Sequence, residues 1–139
     1  MKVIVAGSRE LESLWLPSDG STVVERAIGG SDAVDLDEVS RVISGTARGP
    51  DTWGERFAQS RDDVELTRMP ADWDKHGKKA GPIRNEQMAK EGDVLVAFWD
   101  GQSTGTLNMI NVAMDEDIDV TLIRMHRDDV KSAILGNPA

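Results

Sequence analysis

The sequence contains no cysteine, so neither a disulfide scaffold nor a metal site with thiolate ligands can form. It has two histidines, and neither stands at metal-binding spacing with carboxylates, so we expect no structural or catalytic transition metal. No apolar run approaches the roughly 18 residues that a membrane span needs. The run at residues 3–6 soon meets glycine and arginine, which is typical of a strand rather than of a signal peptide. These absences predict a soluble, cytoplasmic protein that does not associate with membranes.

Acidic residues outnumber basic ones. The formal net charge is −9 and the pI is about 4.6, a balance that disfavours nucleic acid as a partner because the phosphate backbone is repelled. The acidic surface either suits a high-salt host or serves solubility alone, and both interpretations stay open. One stretch is basic and indicates a compact anion as the partner; it contains Lys75, His76, Lys78, Lys79 and Arg84.

Short apolar runs alternate with longer segments of helical character. The runs rich in Val, Ile and Leu predict five strands, and the segments between them predict helices. The strands are expected at residues 2–6, 41–44, 64–69, 93–99 and 119–125, and the helices at 21–30, 51–63, 81–92 and 104–117. Ser21 is expected to cap the first helix. Most of the remaining region 10–38 is expected to be loop.

This alternation predicts the α/β class, as a Rossmann-like three-layer α/β/α fold with a mainly parallel sheet of about five strands. A chain of 139 residues is long enough for one domain with a hydrophobic core and too short for two. We expect that domain to span residues 1–125, followed by a C-terminal helix and tail at residues 126–139.

Four loops that follow predicted strands carry glycine together with polar or basic residues. They are residues 7–9, 44–51, 71–85 and 99–106. In an open parallel sheet the loops at the carboxyl ends of the strands form the ligand site, and close-approaching amides, hydroxyls and helix starts bind phosphate. The spacing matches neither GxxxxGK[ST] nor GxGxxG, which disfavours a P-loop NTPase and an ordinary dinucleotide dehydrogenase.

Several residues in these loops have two interpretations. Arg48 either holds a phosphate or pairs with Asp51 to brace the turn, and Asp51 either caps the following helix or binds a ribose. Trp73 and Trp99 either stack on a base or pack between loop and sheet. His76 is either a general acid or base or an ordinary surface residue.

Four stretches together resemble the SLOG superfamily, and specifically its YspA-like branch, the DUF2493 family. They are VIVAGSR, ISGTARGPDTWGERFA, PADWDKHGKKAGPIRNEQM and VAFWDGQSTGTLNMI, and they cover most of residues 2–124 outside residues 10–38. The resemblance implies a Rossmann-like fold, a nucleotide or nucleotide-derived ligand, and a homodimer or higher oligomer. Distant relatives are the LOG-type phosphoribohydrolases and the DNA-uptake protein DprA. The branch occurs in prokaryotes and their viruses, so a viral or mobile-element origin is open.

The resemblance to the phosphoribohydrolases implies roles for single residues. Their PGGxGTxxE loop is replaced by DGQSTGTLN, whose Gly, Ser and Thr residues would hold a phosphate at a helix start. Arg84 stands for their helix-start arginine and would be the catalytic residue if the chain is an enzyme. Asn108 and Met109 stand where their glutamate is expected, which disfavours hydrolysis because an oxocarbenium-like transition state needs a nearby negative charge or base. Asp100 or Asp74 would have to replace it.

Thr46 is a second departure from the family pattern, since relatives tend to have glycine there. If the position requires positive φ, a β-branched residue is costly. The turn either differs here or uses the Thr46 hydroxyl in the site.

The sequence therefore predicts a binding or sensor module for a nucleotide-derived phosphorylated ligand at the C-terminal rim of the sheet. A hydrolase that cuts an N-glycosidic or phosphoester bond in the same pocket is the alternative. Mg²⁺ held through ligand phosphates is an open possibility, and no other cofactor is implied. The predicted ligand-binding residues are Gly7, Ser8, Arg9, Ser44, Gly45, Thr46, Arg48, Gly49, Arg84, Asn85, Gly101, Ser103, Thr104, Gly105 and Thr106.

Overall fold

A computed structural model describes residues 1–13 and 19–125 of the chain. The strands are β1 (Lys2–Gly7), β2 (Arg41–Ser44), β3 (Glu65–Arg68), β4 (Val94–Trp99) and β5 (Asp119–Arg124). The α-helices are α1 (Ser21–Gly29), α2 (Pro50–Gln59), α3 (Trp73–His76), α4 (Ala80–Glu91) and α5 (Thr104–Asp115). Short 3₁₀ turns occupy Arg9–Ser13, Leu36–Glu38 and Gly77–Lys79. Each predicted strand is confirmed to within one residue at either end.

The five strands form one parallel sheet in the order β3-β2-β1-β4-β5. The chain runs outwards from β1 to β3 and then returns to place β4 on the other side of β1. The predicted Rossmann-like α/β/α fold is therefore confirmed. Because the strand order reverses between β1 and β4, the loops at their carboxyl ends diverge and leave a crevice, which is where open α/β sheets bind ligands.

Helices cover both faces of the sheet because successive side chains along a strand point to opposite faces. Val5 of β1 packs with Phe57 of α2 in one apolar cluster, whereas Ile4 packs with Met88 of α4 in another. Strands β1 and β4 are almost entirely buried, and the edge strands β3 and β5 are partly exposed. The central strands thus hold their carboxyl ends rigidly, and these ends carry the candidate site.

The predicted cap of α1 is wrong. Gly20 is the N-cap residue, with a φ of 93° and no side-chain cap hydrogen bond, and the amide of Ser21 donates instead to Asp19 Oδ1 at 3.1 Å. Glycine suits this position because a Cβ atom would lie 2.4 Å from the Trp53 ring. The close approach of the helix start to that indole therefore decides the cap.

The stretch 71–85, predicted as a loop up to the helix at residue 81, contains α3 and a 3₁₀ turn before α4. The predicted C-terminal helix and tail at residues 126–139 lie outside the described residues. Within the described part of the chain, no helix combines the length and apolar character needed to cross a bilayer.

Asp117 closes the end of α5 in a left-handed conformation, with a φ of 58°. Its amide donates to Met114 O at 3.1 Å. Glycine adopts this conformation without the Cβ penalty, and a negative charge beside the carboxyl end of a helix is unfavourable. We expect Asp117→Gly to raise the free energy of unfolding by about 1 kcal/mol in urea titrations. Asp117→Asn removes only the charge and should give a smaller gain, and an unchanged midpoint for both variants would contradict this account.

Candidate functional site

An open cleft of about 830 Å³ lies at the carboxyl rim of the sheet. The cleft is lined by residues of the connections that follow β1, β2, β3 and β4. All four loops that were predicted to carry glycine with polar or basic residues therefore contribute to one concave surface. The lining includes Gly7 and Arg9 at and after the end of β1, Ala47 and Asp51 after β2, Trp73, Lys78, Gly81, Arg84 and Asn85 after β3, and Asp100, Ser103, Thr104, Gly105, Thr106 and Asn108 after β4.

The predicted ligand residues divide into two groups. Those that line the cleft are Gly7, Arg9, Trp73, Arg84, Asn85, Ser103, Thr104, Gly105 and Thr106. Those outside the lining are Ser8, Ser44, Gly45, Thr46, Arg48, Gly49, Gly101 and Trp99. Residues of the second group do not contribute to the surface of the cleft.

The loop after β4 is held by the carboxylate of Asp100. Its Oδ1 atom accepts hydrogen bonds from Ser103 N at 2.8 Å, from Gln102 N at 2.9 Å and from Ser8 Oγ at 3.1 Å. Burial raises the pKa of Asp100, but these hydrogen bonds outweigh it and hold the pKa below its usual range. Asp100 is therefore a loop anchor, which weakens the suggestion that it replaces the absent glutamate as a base.

The start of α5 presents hydrogen-bond donors to the cleft. Ser103 is the N-cap residue, and its side chain accepts from Thr106 N. Thr104 and Gly105 follow as the first residues of the helix and line the cleft. The amides of a first helical turn have no partner within the helix, and they carry the positive end of its dipole. This end of the cleft therefore suits a negatively charged oxygen.

Arg84 on α4 brings a guanidinium group into the same space. It donates from Nη1 to Gly45 O and from Nε to Asn85 Oδ1, the latter at 3.1 Å. Asn85 in turn donates to Asn108 Oδ1 at 2.9 Å, so the arginine is oriented by a buried amide. Burial lowers the pKa of Arg84, while the nearby Asp51 opposes this effect. The group stays cationic because arginine is effectively always protonated in proteins.

Asp51 is the cleft residue whose role the sequence did not indicate. The predicted helix cap is wrong, since Gly49 is the N-cap residue of α2 and no side chain caps that helix. The Asp51 carboxylate instead accepts from Ala47 N at 3.1 Å, and the residue is only 4% exposed. Burial raises the pKa of Asp51 to about 7. No sequence signal distinguishes this residue from an ordinary acidic residue in a first helical turn, because its burial comes from other segments.

Arg48 is held away from the cleft. Its Nε atom lies 3.4 Å from Glu12 Oε2, and its side chain is 71% exposed. Its partner Glu12 belongs to the 3₁₀ turn Arg9–Ser13. Asp51 has Arg84 and Glu55 as its charged neighbours instead.

Ser44 and Thr46, where β2 ends and its loop begins, lie outside the lining of the cleft. Ser44 is fully buried and donates to Glu55 Oε2 at 2.7 Å, while its Oγ accepts from Thr46 N at 3.0 Å. Thr46 adopts a φ of 67° and is exposed. The β-branched residue therefore occupies the left-handed conformation directly, and its hydroxyl is not part of the lining.

Gly49 and Gly101 both have a φ of 84°, so each permits a turn that an ordinary residue resists. Ser8 is fully buried, and its hydroxyl accepts from Asp100 N at 3.1 Å. These three residues shape the rim without facing the space.

The two tryptophans that could stack on a base behave differently. Trp99 donates from Nε1 to Ser103 O at 3.1 Å and packs against an apolar cluster, as the packing interpretation predicts. Trp73 is 53% exposed and lines the cleft beside Gly81 and Lys78. His76 does not belong to the lining. In the described residues no group of three or more His, Asp or Glu side chains is arranged to hold a metal ion.

Comparisons with known proteins give one informative similarity. No family model matches the chain, and no solved structure matches it. Over 132 residues the chain is 42% identical to the Gene 61 protein of Mycobacterium phage D29, with 86% of this chain and 93% of the relative covered.

Proposed function

This chain belongs to the family of the Gene 61 protein of Mycobacterium phage D29, and we propose that it binds a nucleotide or nucleotide-derived phosphorylated ligand as a binding or sensor module. The site is the cleft at the carboxyl rim of the sheet. The same proposal places the chain in the SLOG superfamily, in its YspA-like branch. The four stretches that resemble this branch, among them VIVAGSR and VAFWDGQSTGTLNMI, support this assignment. A viral setting is consistent with the phage relative.

The observation that carries the proposal is the meeting of helix-start amides with a guanidinium group in one cleft. Thr104, Gly105 and Arg84 line the same space and together offer the donors that a phosphate accepts. The volume of about 830 Å³ lies within the range of small-molecule sites. Arg9 and Lys78 add cationic side chains to the lining, so the cleft can attract a compact anion on a protein whose net charge is −9.

The nucleoside part of the ligand is assigned to the part of the cleft that Trp73 lines. Trp73 is exposed there, and an indole offers a face on which a base stacks. Asn85 and Asn108 add polar side chains to the lining. A divalent ion, if one takes part, would be bound mainly through the ligand phosphates.

Mass spectrometry of small molecules that co-purify with the native protein tests the proposal most directly. Isothermal titration with nucleoside monophosphates and cyclic dinucleotides then measures affinity. A protein that carries no phosphorylated compound and binds none of these probes would overturn the proposed function.

Arg84→Ala is expected to weaken binding of the best nucleotide in this panel by about 10- to 100-fold, because charge-assisted hydrogen bonds contribute about 1.5–3 kcal/mol. Arg48→Ala is the matched control, since it removes an arginine of the neighbouring loop that lies outside the cleft, and it should bind like the unmodified protein. Circular dichroism checks that both variants fold. Equal affinities for all three proteins would show that Arg84 is not part of the site.

A second candidate function is hydrolysis of an N-glycosidic or phosphoester bond in the same cleft. It is favoured by Asp51, a carboxyl group in the lining whose pKa is raised by burial to about 7, since a general acid or base works best with a pKa near the operating pH. Incubation with nucleoside monophosphates and cyclic dinucleotides separates the candidates. Sustained release of base or phosphate, abolished in Arg84→Ala, would establish an enzyme and exclude a purely binding role.

A further inference from the structure

Asp51 and Arg84 lie together beside one glycine at the floor of the cleft. A Cβ atom built on Gly45 would be 2.6 Å from Arg84 Nη1 and 3.0 Å from Asp51 Oδ2. Because Gly45 has no side chain, both charged groups can occupy the space that its Cβ atom would fill, and they therefore lie close to each other. Both residues line the cleft, so an anion that binds at the guanidinium group also comes close to the carboxyl group.

The surroundings of Asp51 favour its neutral form without excluding the ionised one. Burial is the dominant influence, and Glu55 on the same helix adds a second negative charge. Hydrogen bonds from the amides of Ala47 and Gly7, and the positive charge of Arg84 on α4, act in the opposite direction. Arg9, after β1, adds a further positive charge near Arg84. The pKa of Asp51 is consequently about 7, so both forms are populated near neutral pH.

We infer that binding of an anion at Arg84 is coupled to the uptake of one proton by Asp51. The inference rests on the proposed function, because it requires the anion to occupy the cleft. A bound dianion places negative charge near a buried carboxylate, where charges interact more strongly than in water, and a proton on Asp51 removes that repulsion. By linkage, the anion that favours the protonated carboxyl group binds more tightly when that group is already protonated.

The direction of the pH dependence follows from the ionisation of Asp51 in the free protein. Below about pH 7 the carboxyl group already carries its proton, so anion affinity is independent of pH there. Above this value each binding event must also take up a proton, and the dissociation constant rises by up to tenfold per pH unit. The affinity of the site for anions is thus highest under mildly acidic to neutral conditions.

Inorganic sulfate is the appropriate probe, because it stays a dianion throughout the experiment whereas a phosphate monoester titrates near pH 6–7. Sulfate binding is followed by NMR titration between about pH 6 and 9. We expect the dissociation constant of the unmodified protein to be level up to about pH 7 and to rise above it, and that of Asp51→Asn to be level throughout. His76→Gln is the matched control: it replaces an imidazole that lies outside the lining, and it should keep the rise.

A second measurement uses the unmodified protein alone. The carbon-13 shift of the Asp51 carboxyl group reports its titration midpoint, which should move to higher pH in saturating sulfate. If sulfate binds with a dissociation constant that does not change with pH and the midpoint does not move, the coupling is refuted while the proposed function stands. If sulfate fails to bind and the nucleotide panel also fails, both are refuted. If sulfate does not bind but the nucleotides do, only the coupling at Arg84 is refuted and the proposed function stands.

Discussion

Asp51→Asn is expected to remove about 4 kcal/mol of pH dependence from the free energy of unfolding. The carboxyl group titrates at about 3.8 when exposed and at about 7 in the folded protein. Between these values the folded state holds a proton that the unfolded state has released, so this group makes stability fall as pH rises from about 4 to about 7. Above about pH 7 both states are ionised and its contribution is constant. The residue is 4% exposed, so solvent screens this effect little.

Urea unfolding of both proteins at several pH values between about 4 and 8 measures this effect. The difference between the two unfolding free energies is the informative quantity, because carboxyl groups that do not interact with Asp51 contribute equally to both proteins. Asp100 is one of them, and its lowered pKa gives the opposite dependence, a stability that is lost as pH falls. Asp63→Asn changes an exposed carboxylate beyond α2 and serves as the control. A difference between the unmodified protein and Asp51→Asn that stays constant across this range would contradict the assigned burial.

Phe98→Ala is expected to lower the free energy of unfolding by about 3–5 kcal/mol, the usual cost of truncating a buried aromatic residue. Phe98 is fully buried in β4. Its ring meets that of Trp53 edge-on, with centroids 5.5 Å apart and planes inclined by 72°, and the carbonyl oxygen of Phe98 accepts a hydrogen bond from Ser8 N at 3.0 Å. Truncation therefore leaves a cavity beneath the loop that carries Asp100. The loss is a large part of the 5–15 kcal/mol that holds a typical domain together.

Denaturant unfolding monitored by far-ultraviolet circular dichroism measures the loss. Phe98→Leu retains much of the volume and should cost about 1–2 kcal/mol. If Phe98→Ala unfolds within 1 kcal/mol of the unmodified protein, the ring is not packed as described. A fall in nucleotide affinity for Phe98→Ala but not for Phe98→Leu would further connect this packing to the loop above it.

The strands were predictable because a strand covered on both faces must be apolar on both faces. Residues 2–6 and 93–99 show this continuous pattern, and they form the central strands β1 and β4. Helix ends were less predictable. The residues after Gln59 are compatible with a helix, but α2 ends there and the chain turns to reach β3. Helix α3 spans only Trp73–His76, with Asp72 as its cap, and is too short to show a helical period.

The candidate site was predictable as a region but not residue by residue. Arg48 and Arg84 both stand in polar stretches that follow strands, yet Glu12 holds the first at the surface whereas Gly45 and Asn85 hold the second in the cleft. Ser8 and Ser103 likewise differ only in surroundings, since one is fully buried and the other borders the open space. Such differences depend on contacts between segments far apart in the chain.

Local chemistry is therefore enough to predict the alternating strands and helices and the parallel arrangement of the strands. It also predicts the rim of the sheet where the loops rich in glycine and polar residues meet. Apolar periodicity and turn residues act over a few neighbours, and those neighbours can be read directly from the chain. The proton affinity of Asp51 is different in kind. It arises because α4 and the loops after β1 and β2 surround one carboxyl group and exclude water from it. Exclusion from water is a property of the assembled fold.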